Sequence, residues 1–208
     1  MKKDYSVYVI LSATELKMGK IIRFLTRYKY NHVSITLDDE LRYMYSFSRY
    51  HKRPSLYAGF VKESMLRYRN SKIKIYKIPI DKYTYRKMKR YFKLLEQTKN
   101  KYLYNLFSAL FFVIHKKIKI DKSFTCIEFT LYTLSRYVPK LKLKDYKFYS
   151  IRDLDNLLNE YLMYEGNFIM SDRLSWNNDS YLDNNHTLNG YVGVIKNIFI
   201  LIYRFVRY

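Results

Sequence analysis

Asn31 opens the stretch that most restricts the fold: Val33, Ile35 and Leu37 alternate with His32, Ser34 and Thr36. That spacing yields one oily and one polar face only in an extended strand, and the polar face is headed by the histidine. Asp38-Asp39-Glu40 reads as a turn, after which Tyr43, Tyr45 and Phe47 alternate with Met44, Ser46 and Ser48, the pattern of an antiparallel hairpin partner. Two further strands are expected. Tyr5 to Leu11 is β-branched and aromatic and ends at Ser12-Ala13-Thr14, while Lys72 to Ile80 sets Ile73, Ile75, Tyr76 and Ile78 against lysines, with one solvated face. Helical spacing governs other segments: Lys17 to Tyr28, Asp81 to Gln97 (Tyr85, Met88, Phe92, Leu95), Cys126 to Tyr137 (Ile127, Leu131, Leu134) closed by Pro139, and Ser150 to Tyr161. The expected class is α+β, a small antiparallel sheet from the strands near residues 5, 32, 42 and 72 packed against the cysteine-bearing helix.

A chain of 208 residues buries one substantial core, and a single cysteine excludes an intrachain disulfide and cysteine-based zinc sites. The net charge of +21 suggests a polyanionic partner. Lys, Tyr, Asn and Ile are also what A/T-rich codons encode, and with 25 Tyr against 5 Gly and 3 Pro the charge is better explained by coding composition. No zinc-finger spacing, aromatic RNA-binding run or glycine-rich phosphate loop is present, so a nucleic-acid partner is not expected. Met1-Lys2-Lys3-Asp4 precedes an apolar run too short for a signal peptide, which suggests a cytoplasmic protein.

Tyr102 to Ile114 is nearly all apolar but shorter than a bilayer span, and reads as a core helix or a lipid-touching surface. Residues 171–190 are dominated by Asn, Asp and Ser, as expected of a long loop. Residues 191–208 form a greasy helix with basic edges at Lys196, Arg204 and Arg207, suited either to the domain's own core or to an anionic membrane surface.

Chemistry concentrates at two side chains. Thr125 and Glu128 have the spacing of a capping box, which makes Cys126 the first residue of its helix, where unpaired N–H groups and the helix dipole favour a thiolate. His32 supplies an imidazole if the fold brings the two together. The remaining histidines, His51, His115 and His186, lie in basic or polar surroundings without ligand spacing and are expected at the surface, so no metal site is anticipated.

Asn31-His32-Val33-Ser34-Ile35, the partner Tyr45-Ser46-Phe47-Ser48-Arg49, the Gly59-Phe60-Val61-Lys62-Glu63 segment and the helix start Thr125-Cys126-Ile127-Glu128-Phe129 together resemble the circularly permuted branch of the NlpC-type papain-like cysteine hydrolases. That branch includes the YiiX/YaeF-like amidases and is related to lecithin:retinol acyltransferase. The order fits, because histidine precedes cysteine. The resemblance implies a permuted papain-like catalytic domain over residues 1–170, with Cys126 as nucleophile and His32 as base. A third polar group should orient the ring: Glu63 first, Ser46 second, since the strand following His32 offers no carboxylate. Thr14 is implied to line the cleft for substrate, backbone N–H groups at Cys126 to form the oxyanion hole, and no cofactor is called for. The substrate implied is a peptide, a cell-wall fragment or an acyl lipid. The alternative is a non-enzymatic basic protein, bound to membrane or nucleic acid, on a degenerate papain-like scaffold.

Overall fold

The computed structural model describes residues 4–14, 20, 23–24, 26–52, 54–111, 118–143, 149–168 and 188–207. The expected hairpin organises it: β2 (His32–Thr36) pairs antiparallel with β3 (Tyr43–Arg49) through Ile35 and Tyr45, and β1 (Tyr5–Ser12) pairs with β2 on the other side, placing Ser12 opposite His32. β4 (Ala58–Ser64) pairs with β3, and β5 (Lys72–Ile80) with β1. Three short strands widen the sheet: β6 (Leu103–Tyr104), β7 (Ser123–Phe124) and β8 (Leu162–Asn167). Among the described residues the order is β7-β6-β4-β3-β2-β1-β5-β8, antiparallel except for β6 and β7. The sheet is therefore eight strands wide rather than small.

Five helices are described: α1 (Lys82–Gln97), α2 (Leu106–Phe111), α3 (Cys126–Tyr137), α4 (Ile151–Leu158) and α5 (Leu188–Val206). Asp81 caps α1 by accepting from the Thr84 N–H at 2.9 Å, and Met88, Phe92 and Leu95 are buried as the stripe requires. The principal core lies between the sheet and α1, α3 and α4, where Val33, Ile35, Phe47 and Phe60 meet Phe129, Leu131, Leu134 and Leu154. Burying side chains of this size contributes about 1.5–3 kcal/mol each, which is what holds α3 against the sheet. A second core on the sheet's other face joins Tyr8, Ile10, Met44, Met65, Tyr68, Ile73 and Ile75.

Two expectations change. β5 lacks a wholly solvated face: Ile73, Lys74, Ile75, Tyr76 and Ile78 are all buried, because β1 and β8 flank the strand and Asp155 and Glu165 receive the Lys74 ammonium at 2.9 and 3.3 Å. The apolar run from Tyr102 starts as strand and turns helical only at Leu106, since Leu103 and Tyr104 pair with Ser123 and Phe124. Half of the expected Lys17–Tyr28 helix and most of the 171–190 loop fall outside the described residues, as do His115 and His186; Lys20, Arg23, Phe24 and Thr26 are helical but Arg27 and Tyr28 are not, and residues 188–190 already belong to α5. His51 packs its ring 6.1 Å from that of Tyr57.

Candidate active site

The N-terminus of α3 is built as the local sequence dictates. Thr125 Oγ1 accepts from the Glu128 N–H at 3.3 Å, and the Glu128 carboxylate accepts from the Thr125 N–H at 2.7 Å, completing the capping box. The cap leaves the N–H of Cys126 to point along the helix start, at the positive end of the dipole.

His32 heads β2, so its ring lies at the strand's end, in the wall of the same cavity as Cys126 and close enough to feel its charge. The ring is fixed from behind by a carboxylate: His32 Nε2 stands 3.0 Å from Glu63 Oε1. With Nε2 so engaged, Nδ1 is the nitrogen available to sulfur. Glu63 belongs to β4, two strands away from His32, and is fully buried. Its charge is tolerated because every neighbour donates to it or opposes it. Ser34 Oγ donates to Glu63 Oε1 and stands 3.3 Å from His32 Nε2, Arg67 Nη1 lies 3.5 Å from Glu63 Oε2, and buried Tyr68 lies close enough to feel the charge of the same carboxylate. The Tyr68 ring also stacks on the imidazole at 5.8 Å with an interplanar angle of 23°.

The charges of this cluster are coupled. Burial alone would drive the imidazole toward neutrality, but the Glu63 carboxylate and the Cys126 sulfur outweigh it and push its pKa up to about 10. Burial would likewise raise Glu63, yet the His32 charge and hydrogen bond, with Arg67 and Ser34 behind them, bring it down to about 2. The carboxylate beside the ring favours its imidazolium form. Burial, followed by the Glu63 charge, pushes the Tyr68 phenol well up, so it stays a neutral donor.

Of the residues expected in the site, the structure brings Cys126, His32 and Glu63 together and places Thr14 beside them. Thr14 accepts from Asn31 Nδ2 at 2.7 Å, donates its backbone N–H to Asn31 Oδ1 at 2.8 Å, and lines the same cavity. Ser46 is a correction. It is buried and donates to the Val33 carbonyl at 2.7 Å, bracing β2 against β3 rather than touching the ring. Ser34, Arg67, Tyr68 and Tyr104 were not anticipated. Ser34 was legible, since it shares the polar face of β2 with His32; the other three come from segments whose position depends on long-range pairing. Tyr104 lines the cavity, and its phenol is pushed up first by burial and then by the charges of Cys126 and Glu128.

The cavity measures about 470 Å³ and contains His32 and Cys126 in its wall. Around that polar end it is apolar, with Leu56, Leu106, Phe107, Leu110, Ile198 and Leu201. Among the described residues no group of three or more His, Cys, Asp or Glu side chains is placed to hold a metal ion. Comparison of the chain with family models, curated proteins and solved structures finds no match.

Proposed function

We propose that this chain is a cysteine hydrolase or acyltransferase on a permuted papain-like scaffold, acting on an ester or amide of an apolar acyl group through an acyl-enzyme at Cys126. The observation that carries the reading is a sulfur, an imidazole and a buried carboxylate in series, opening on a cavity large enough for a ligand. The apolar lining favours an acyl chain over a peptide or cell-wall fragment, whose amides would lose hydrogen bonds there.

The Cys126 thiol gives its proton to His32, and the resulting thiolate adds to the carbonyl carbon, whose oxygen gains negative charge that the N–H at the start of α3 stabilises. The imidazolium formed in that transfer then gives its proton to the leaving amine or alcohol as the tetrahedral species collapses to a thioester. The neutral ring then removes a proton from water or an acceptor alcohol, which attacks the thioester and releases the acyl group. That proton restores the imidazolium, and Glu63 keeps the ring oriented throughout. The Glu63 carboxylate 3.0 Å from His32 Nε2 supports this reading over the non-enzymatic alternative.

The test is a panel of amides, thioesters and phospholipids incubated with the protein and read by intact mass. An acyl adduct on the Cys126 peptide is expected, absent in Cys126→Ser. Turnover of a responsive substrate that survives in Cys126→Ser would end the reading.

A further inference from the structure

α5 has two apolar faces, and among the described residues only one is covered. The inner one meets Leu103, Ile120, Leu106, Phe107 and Ile118 through Leu201 and Ile200. Gly193 allows the close approach, since a Cβ there would stand 2.5 Å from the Tyr57 ring. Arg204 completes the seat by donating to the carbonyls of Lys101 and Asp121, both at 3.1 Å. The opposite face carries Leu188, Tyr191, Val192, Ile195, Phe199, Ile202, Tyr203 and Val206, all exposed, with Phe199 at 69% and Val206 at 76%. At about 100° per residue these eight fall within a single stripe along the helix. A continuous apolar stripe in water marks a surface that meets something else.

The surrounding charge identifies the partner. Lys196 and Arg207 are exposed beside the stripe, and the contacts of Arg204 place the exposed residues Lys101 and Lys122 next to the C-terminal end of the helix. Pairing two copies through this face would oppose basic rims on chains of net charge +21, whereas an anionic headgroup layer complements them. No helix among the described residues is long and apolar enough to cross a membrane, and the inner face of α5 is already occupied, so the geometry is that of a helix lying in an interface.

We propose that the outward stripe of α5, with its basic rim, docks this protein on the surface of an anionic lipid bilayer. The inference goes beyond the proposed acyl chemistry: it holds whichever carbonyl Cys126 attacks, and if both hold, the docked helix is itself a cavity wall. Ile198 and Leu201 of α5 line the cavity together with Leu56 and Leu110, which are exposed at 45% and 70%.

The test is co-sedimentation of the full chain with vesicles of phosphatidylcholine alone or with added phosphatidylserine. Binding to the phosphatidylserine vesicles is expected, weakened by salt, and lowered about ten-fold or more in Ile195→Asp/Phe199→Asp. Lys196→Glu/Arg207→Glu, which leaves the stripe intact, should also weaken it, and Cys126→Ser should bind as the unaltered chain does, keeping docking separable from catalysis. Absence of binding to anionic vesicles, or equal binding by the apolar variant, would overturn the proposal. So would light scattering that shows a dimer which the apolar variant dissociates while vesicles remain unbound.

Discussion

Glu63 shows how much a single buried charge depends on its neighbours. The carboxylate is fully buried, and its ionised form survives because His32, Arg67, Ser34 and Tyr68 all face it. Those neighbours fix how stability depends on pH. His32 is raised from 6.5 to about 10, so its contribution is complete below about 6.5 and is lost as pH climbs through about 10. Glu63 is lowered from 4.5 to about 2, so its contribution is complete above about 4.5 and is lost as pH falls through about 2. The pair therefore stabilises most between about pH 4.5 and 6.5. Urea denaturation of the unaltered chain and of Glu63→Gln across pH should show their largest gap in that window, narrowing toward both extremes. A gap independent of pH would mean that the two groups are not paired. The sequence alone named Glu63 only through the family resemblance, because nothing local to β4 says that its side chain turns toward β2.

At the scale of elements, legibility followed locality. The start of α3 was readable to the residue because a capping box involves four consecutive positions, and the structure has both of its hydrogen bonds. Replacing Thr125 with Ala removes the acceptor for the Glu128 N–H and should cost about 1 kcal/mol of stability by chemical denaturation. No measurable loss would show that the helix start is held by the sheet alone. The β2–β3 hairpin was readable for the same reason: period-two alternation on both sides of an acidic turn. β6, β7 and β8 were not, since two-residue strands have no period and Leu162–Asn167 is exposed along most of its length. Their pairing comes from distant partners, Gly59 for Leu103 and Ile73 for Gly166. Lys74 misled in a related way, because a lysine in a strand ordinarily marks a solvated face, and here Asp155 from α4 neutralises it in the interior.

For the whole molecule, the decisive arrangement is convergence: β2 brings the imidazole, β4 the carboxylate and α3 the sulfur, while α5 closes part of the cavity in front of them. The C-terminal helix, which composition left open between core and lipid, docks its inner face on the domain and leaves its outer stripe exposed. The central claim is that the three side chains form one charge-coupled unit, and it is tested most directly by following the His32 ring through a pH titration by NMR. The account predicts an imidazolium that persists through neutrality and loses its proton only near pH 10, at lower pH in Glu63→Gln. A ring that titrates near 6.5, unmoved by Glu63→Gln, would contradict it.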